Sequence, residues 1–340
     1  LILSVPSVQN VVADRAAKMA SDYLGTKVEV GHVTIGMLNR VAVRDFYVAD
    51  LDGDTLLYVK RVDAYIASLA SLAKKNLVIN YGNVQGGKFV VRETDRGTIA
   101  VKEITDKLVN RERKGEFRLD IHSLDGSGID FQLLRKDEPR EGVDYADMRL
   151  LGIDVHIDDF LLDRGAVSGD IRNLSFMERS GFKLDNLFGY FYVYEGRIEV
   201  KNAQLKTALS QINLDSLLLD GKDWLEYRDF INKIPIICSV TDSDISSEDV
   251  GYFAPALWGW QTKVRNSSIS MNGTVANFKG RVANATLEDG GVLQGSVRVR
   301  GLIDVENTRF DIEIGRLKST TDELTYLLDR IAHLSLGEKA

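Results

Sequence analysis

The chain has 340 residues, 44% of them hydrophobic and 27% charged, a balance that can bury a large apolar surface and so excludes an intrinsically disordered chain. Its formal net charge of -7 argues against binding DNA or RNA, which calls for a basic surface, and no Arg/Lys stripe with interleaved aromatics occurs. A single cysteine, Cys238, rules out an internal disulfide, and no run of about 20 apolar residues is long enough to cross a bilayer as a helix.

In chain order the first expected element is helical. Leu1-Ile2-Leu3-Ser4-Val5 is apolar at four of its five positions and lacks an initiator methionine, so it reads as the tail of a signal peptide or membrane anchor removed upstream. Pro6-Ser7 supplies helix-start chemistry. Val8, Val12, Ala16, Met19 and Tyr23 then share one face, and Asn10, Asp14, Lys18 and Ser21 the other, which predicts an amphipathic helix within residues 1–25, ended by Gly25.

From Lys27 onward the period changes from 3.6 to 2, so residues 26–340 are expected to be mainly β. Lys27-Val28-Glu29-Val30, Arg40-Val41-Ala42-Val43-Arg44 and Glu116-Phe117-Arg118-Leu119-Asp120-Ile121 alternate apolar with mostly charged side chains. So do Ile129 to Leu133, Ile153 to Ile157, Arg197 to Lys201, Gln211 to Asp215 and Phe310 to Ile314. One wet face is tolerated chiefly in antiparallel sheets, and that is the predicted pairing. Asp52-Gly53, Gly86-Gly87, Asp125-Gly126, Asn272-Gly273 and Asp289-Gly290-Gly291 are expected as hairpin turns. A parity slip between Val43 and Phe46 predicts a bulge.

Short helices are expected near 102–111, 246–257 and 320–334. The last two look like copies of one unit: aligning Val250 with Leu324 also aligns Tyr252 with Tyr326, Phe253 with Leu327 and Leu257 with Ile331. Each follows a strand, so strands and then a capped helix repeat.

Catalytic and metal chemistry find no pattern. His32, His122, His156 and His333 stand apart from one another and from Cys238, without metal-ligand spacing. Asp50-Leu51-Asp52-Gly53-Asp54 resembles the opening of a calcium loop, but Thr55 and Arg61 occupy the places where that loop needs Gly and Glu. A turn between two strands accounts for the same acids. No phosphate loop, dinucleotide fingerprint or nucleophile elbow is found. Neither an enzyme nor a cofactor is expected.

Leu3-Ser4-Val5-Pro6-Ser7-Val8-Gln9, Leu24-Gly25-Thr26-Lys27-Val28-Glu29-Val30-Gly31 and Gly53-Asp54-Thr55-Leu56-Leu57-Tyr58 resemble the start of TamB-type proteins of Bacteroidota, of the AsmA-like superfamily. Asp249-Val250-Gly251-Tyr252-Phe253-Ala254-Pro255-Ala256-Leu257 and Gly273-Thr274-Val275-Ala276-Asn277-Phe278-Lys279-Gly280 resemble the repeating elements of the same family's body. The resemblance implies an elongated, twisted antiparallel sheet curled into an open groove, in a periplasmic protein anchored to the inner membrane by a helix missing from this sequence. It further implies phospholipid acyl chains as cargo carried between inner and outer membranes. A second implied role is scaffolding of outer-membrane β-barrel assembly with an Omp85-type partner, reached through a C-terminal region also missing.

An antiparallel sheet with one continuous apolar face must cover that face, and few long helices are available to do so. About 15 strands at roughly 4.8 Å would make a strip of about 70 Å. The lining would be Val28, Val30, Val41, Val43, Phe117, Leu119, Ile121, Phe131, Leu133, Val155, Ile157, Ile198, Val200, Ile212, Leu214, Ile312 and Ile314. The same residues would equally suit the core of a β-sandwich.

Overall fold

The computed structural model describes residues 13–15, 17–18, 20–22, 24–37, 39–67, 76–93, 118–134, 141–144, 147–254, 257–301 and 309–335. The helix expected at 102–111, the helix face formed by Val8, Val12, Ala16, Met19 and Tyr23, and Phe117 lie outside them.

Sixteen strands form one open, mostly antiparallel sheet. They are β1 (Val28–Ile35), β2 (Arg40–Ala49), β3 (Thr55–Ile66), β4 (Asn76–Arg92), β5 (Arg118–Leu134), β6 (Asp147–Asp163), β7 (Ala166–Glu178), β8 (Lys183–Leu184), β9 (Asn186–Tyr194), β10 (Arg197–Lys206), β11 (Gln211–Asp220), β12 (Ile236–Ser246), β13 (Lys263–Gly273), β14 (Asn277–Thr286), β15 (Val292–Arg300) and β16 (Arg309–Lys318). Their order along the sheet is their order in the chain, with the two-residue β8 off the path. Two compact units divide the chain. Unit 1 holds residues 1–139, 145–179 and 192–194, and unit 2 holds 140–144, 180–191 and 195–340.

Unit 1 starts with helix α1, seen between residues 13 and 24. It ends where expected: Gly25 takes φ 66° and its amide bonds the Ser21 carbonyl at 2.8 Å, the conformation a glycine adopts at least cost. Ala20 and Leu24 pack against buried Val28, Val48 and Leu56. The acids of the calcium-like stretch make the β2–β3 turn. Asp50 is 2% exposed, and its Oδ1 accepts the amides of Asp52 and Asp54 at 3.0 and 2.9 Å, so the carboxylate is spent on its own backbone.

Two features of unit 1 differ from expectation. Strands β4, β5 and β6 each run 17 residues, about 56 Å of contour, and they contain Gly86-Gly87 and Asp125-Gly126 in their interiors rather than at hairpins. In addition β4 pairs with β5 in parallel, from Asn76 opposite Arg118 to Arg92 opposite Leu134. A parallel neighbour needs a crossover of a dozen or more residues, and the stretch 93–117 is long enough.

The interior glycines belong to a crease. Left-handed backbone occurs inside strands at Asp45, Gly86, Gly128, Gly152 and Asp159 in unit 1, and at Asn202, Asp242 and Asn266 in unit 2. In unit 1 the crease is aligned: Tyr47 and Arg44 pair with Tyr58 and Arg61, placing Asp45 opposite Lys60, which in turn faces Gly86 and then Gly128. Crossed hydrogen bonds secure it, from the Gly128 amide to Asp154 Oδ1 at 3.0 Å and from the Gly152 amide to Asp130 Oδ1 at 2.9 Å. An irregular residue resets which side chains face which way. The slip expected between Val43 and Phe46 is this crease at Asp45, with φ 51°.

In unit 2 two runs of four strands each lead into a helix, the first run broken by a helical segment, Glu226–Asp229 and Phe230–Lys233, between β11 and β12. Strands β9 to β12 lead into a short helix (Ser247–Gly251), and β13 to β16 lead into a longer one (Thr321–Ser335). The first is capped by Ser246, whose side chain accepts the Glu248 amide. Each helix start is also tied to a carboxylate. Asp249 accepts hydrogen bonds from Thr207 Oγ1 at 2.6 Å and Ser210 Oγ at 2.5 Å. Asp289 accepts from the Thr320 amide at 2.6 Å and Ser319 Oγ at 2.8 Å, and with the Gly291 amide these donors bring its carboxyl down to about 2. The β11–β12 connection folds back on the strand ends, burying Ile234 completely.

Candidate functional site

Strand register turns scattered apolar residues into rows that cross the sheet. In unit 1 one row runs Val28, Val48, Leu57, Phe89, Phe131, Leu150. The next runs Val30, Phe46, Val59, Gly87, Ile129, Ile153. Beyond the crease follow Val33, Val43, Val62, Val84, Gly126, Val155, Leu174 and then Ile35, Val41, Ala64, Gly82, Leu124, Ile157, Ile171. Ile121 continues the series between Ile79 and Phe160, Leu119 between Leu77 and Leu162, and Leu133 between Val91 and Met148. Left-handed backbone at the crease on β2, β4, β5 and β6 shifts side-chain parity, and apolar rows lie on both sides of it.

Unit 2 has the same construction. One row is Ile198, Leu219, Ile236, Gly273, Phe278, Val299, Phe310, and the next is Val200, Leu217, Cys238, Met271, Gly280, Val297, Ile312. A third is Ala203, Leu214, Val240, Ile269, Val282, Gly295, Ile314, with Ile212 opposite Leu205 beside it. Exposure rises toward β16: Leu214 is 7% exposed, whereas Ile312 and Ile314 are 58% and 56% exposed.

Every described residue of the predicted lining therefore falls in one of these rows. Sequence reasoning missed more than twice as many, among them Leu57, Phe89, Ile153, Cys238 and Met271. The available signal was the interrupted alternation, because a strand whose apolar period slips at an Asp, Asn or Gly is still one strand.

Glycines show which side is crowded in unit 1. A Cβ on Gly126 would stand 2.8 Å from Val155 Cγ1 and 2.9 Å from Ile129 Cδ1, and one on Gly82 would stand 3.2 Å from Leu124 Cδ1. At the crease, Gly128 and Gly152 have nothing within 4 Å of such an atom. These contacts show close packing of side chains within the apolar rows.

The other face carries the ions. Row Thr34, Ala42, Asp63, Asn83, Asp125, His156, Asn173 is wholly different in character. Asp63 takes Arg61 at 2.5 Å and Arg40 at 3.0 Å, and the Arg61 guanidinium in particular holds its carboxyl below the usual range. Burial pushes the Asp125 carboxyl up, but His156 Nδ1 at 2.6 Å and the Tyr81 hydroxyl at 2.7 Å outweigh it and leave the group low. Burial likewise opposes, and Arg149 and Arg179 overcome, a lowered Asp147. Each basic group is half-exposed, so these pairs order the face more than they stabilise it.

Asp63 is the exception, with a side chain 9% exposed. A depressed carboxyl contributes stability above its unfolded value, and that contribution disappears as pH falls through the folded value. Asp63→Asn is expected to cost unit 1 about 1–2 kcal/mol at pH 7, a cost that shrinks as pH falls through the folded carboxyl value, in urea titrations across the acid range.

Among the described residues no group of three or more His, Cys, Asp or Glu is placed to hold a metal ion, and no helix is long and apolar enough to cross a membrane. His156 sits between Asp125 and Asp158, with Nε2 3.3 Å from the latter, while His122 lies 4.0 Å from Asp120. No protein-family model matches the sequence, and no curated protein is significantly similar to it.

Proposed function

We propose that the chain is a hydrophobic-groove protein of the periplasm that shields phospholipid acyl chains on their way between inner and outer membranes, as the N-terminal part of a TamB-type, AsmA-like protein. The observation that carries this reading is the set of uninterrupted apolar rows, six or seven strands wide in each unit, backed by a face that holds the ions. The resemblance of the N-terminal segments to TamB-type proteins adds the compartment and the membranes. An acyl chain in water costs about 0.8 kcal/mol per exposed CH₂, more than 10 kcal/mol for a full tail. A dry strip removes most of that barrier. Hydrophobic contact has no preferred direction, so neighbouring rows make near-equivalent sites along which a chain slides.

Cys238, the one cysteine in the sequence, tests the reading from inside the rows, between Leu217 and Met271. Burial pushes its thiol up, so alkylation by a maleimide should be slow at neutral pH and measurable at mildly alkaline pH. A monomeric lysolipid is expected to slow that alkylation at least fivefold, while glycerophosphocholine, which has no tail, leaves it unchanged. Equal rates with and without the lysolipid would sink the proposal.

A second reading rests on β16. Among the described residues this strand pairs only with β15, and all ten of its residues are exposed. A free strand of this kind is a template for strand addition, which suits a scaffold for outer-membrane β-barrel assembly with an Omp85-type partner.

A further inference from the structure

We propose that the polar face of unit 2 docks on a negatively charged bilayer surface through a basic patch on β14 and β15. The proposal does not depend on the acyl-chain reading, because it uses side chains on the face turned away from the apolar rows.

Register assembles the patch. Lys279 on β14 stands directly opposite Arg298 on β15, and Arg281 follows two positions along β14 on the same side. Strand alternation sets these three against Phe278, Gly280 and Val282, which belong to the rows, and all three are exposed. Like charges directly opposite one another destabilise a sheet, and the neighbouring strands do not cancel this pair. On β16 Asp311 does lie opposite Arg298, but its carboxylate takes Arg300 at 2.9 Å, and Glu313 lies opposite Ser296. Lys279, Arg281 and Arg298 have no ion-pair partner among the described residues. On the polar face of unit 1 the arrangement is different: Arg61, Arg149 and Arg172 each have a carboxylate partner, at 2.5, 3.1 and 2.8 Å. Three cations left side by side cost the sheet stability, and an anionic surface laid over them offsets that cost.

The surroundings of the patch select the partner. Ser270, Asn272 and Ser296 stand opposite these cations across the strands. Such short polar side chains neither enclose the charges nor supply the buried aromatic anchors on which protein–protein contacts depend. A single small anion would meet only one or two of the three flexible groups, whereas a plane of acidic phospholipid headgroups meets them all at once. The chain as a whole carries a formal net charge of -7 and is repelled by such a plane. Salt screens the distant acids within about 10 Å at 0.1 M, so the attraction is local to the patch and fixes which side of unit 2 turns to the membrane.

The test measures cosedimentation of the full chain with two kinds of vesicle at about 0.1 M salt. One contains phosphatidylglycerol and phosphatidylcholine in equal parts, the other phosphatidylcholine alone with the same tails. Binding to the acidic vesicles is expected to be at least tenfold tighter, and to fall to the level of the neutral ones near 1 M salt, where screening is complete within about 3 Å. Substituting Lys279→Gln, Arg281→Gln and Arg298→Gln together should weaken it at least tenfold, since each basic group near an anionic surface contributes about fivefold. The urea midpoint of this variant should be no lower than that of the parent, because the cross-strand repulsion is removed with the charges. Arg44→Gln, Lys60→Gln and Lys88→Gln remove the same charge from exposed positions of unit 1 and should leave vesicle binding unchanged. Equal binding to the two vesicles, or an equal loss in the unit 1 variant, overturns the proposal. So does release of the chain by inorganic phosphate at constant ionic strength, which would mark a site for a single anion.

Discussion

Replacing Leu217 and Met271 together by aspartate is expected to reduce acyl-chain binding and vesicle-to-vesicle lipid transfer at least tenfold while the sheet still forms. The two side chains bracket Cys238 in the middle row of unit 2 and are half-buried. Each carboxylate would hold water in the path of a sliding chain, and stripping that water costs several kcal/mol, against about 0.8 kcal/mol gained per methylene. A tenfold loss requires only about 1.4 kcal/mol, so it is a lower bound. Leu217→Ala with Met271→Ala keeps the surface apolar and should retain most of the transfer, which separates lost oiliness from lost volume. The same aspartate pair also divides the two functional readings. Strand addition at β16 uses a backbone edge four strands from β12, so barrel assembly by that edge should continue when lipid transfer has collapsed. Transfer that survives the double aspartate would remove the apolar rows from the mechanism.

A large effect on folding is expected at Gly273. It closes β13 with φ 135°, and a Cβ there would stand 2.3 Å from the Asn277 carbonyl oxygen and 2.6 Å from Phe278 Cα. Both obstacles are backbone, so neither can swing aside. Gly273→Ala should cost unit 2 about 3 kcal/mol or more, in the range of strain plus a broken hairpin. Gly128→Ala is the control: its φ is 60°, and a Cβ meets nothing within 4 Å, so only the left-handed penalty of about 1 kcal/mol applies. Urea unfolding of the two variants, compared at equal m-value, measures the difference. Equal midpoints would contradict the geometry assigned to the β13–β14 turn.

Period-2 alternation makes the strand content and the character of each face legible in the amino-acid order alone. Ile153 to Ile157 and Arg197 to Lys201 lie in β6 and β10 with the expected sides, and Asp52-Gly53 and Asp289-Gly290-Gly291 are turns. Gly86-Gly87 and Asp125-Gly126 misled because glycine next to a polar residue signals positive φ, and positive φ serves a hairpin and an in-strand crease alike. Residue type reports the local backbone; whether the chain reverses there depends on what the neighbouring strand does. The parallel β4–β5 pair was hidden for a related reason, since alternation carries no information about strand direction. In the candidate site, Val155 and Val200 were legible because their strands alternate cleanly. Cys238 and Met271 were not, because a thiol and a thioether among serines look like an ordinary strand interior until register places them between Leu217 and Gly280.

The parallel seam has a consequence for how the chain assembles. The antiparallel pairings of unit 1 join strands whose ends lie close along the polypeptide, so each can zip up from a nearby reversal. Asn76 must instead find Arg118 after the stretch between them has been closed into a loop, and the entropy of that closure is lost before any rung of the seam repays it. Closing this seam is therefore expected to be the slowest pairing in the refolding of unit 1.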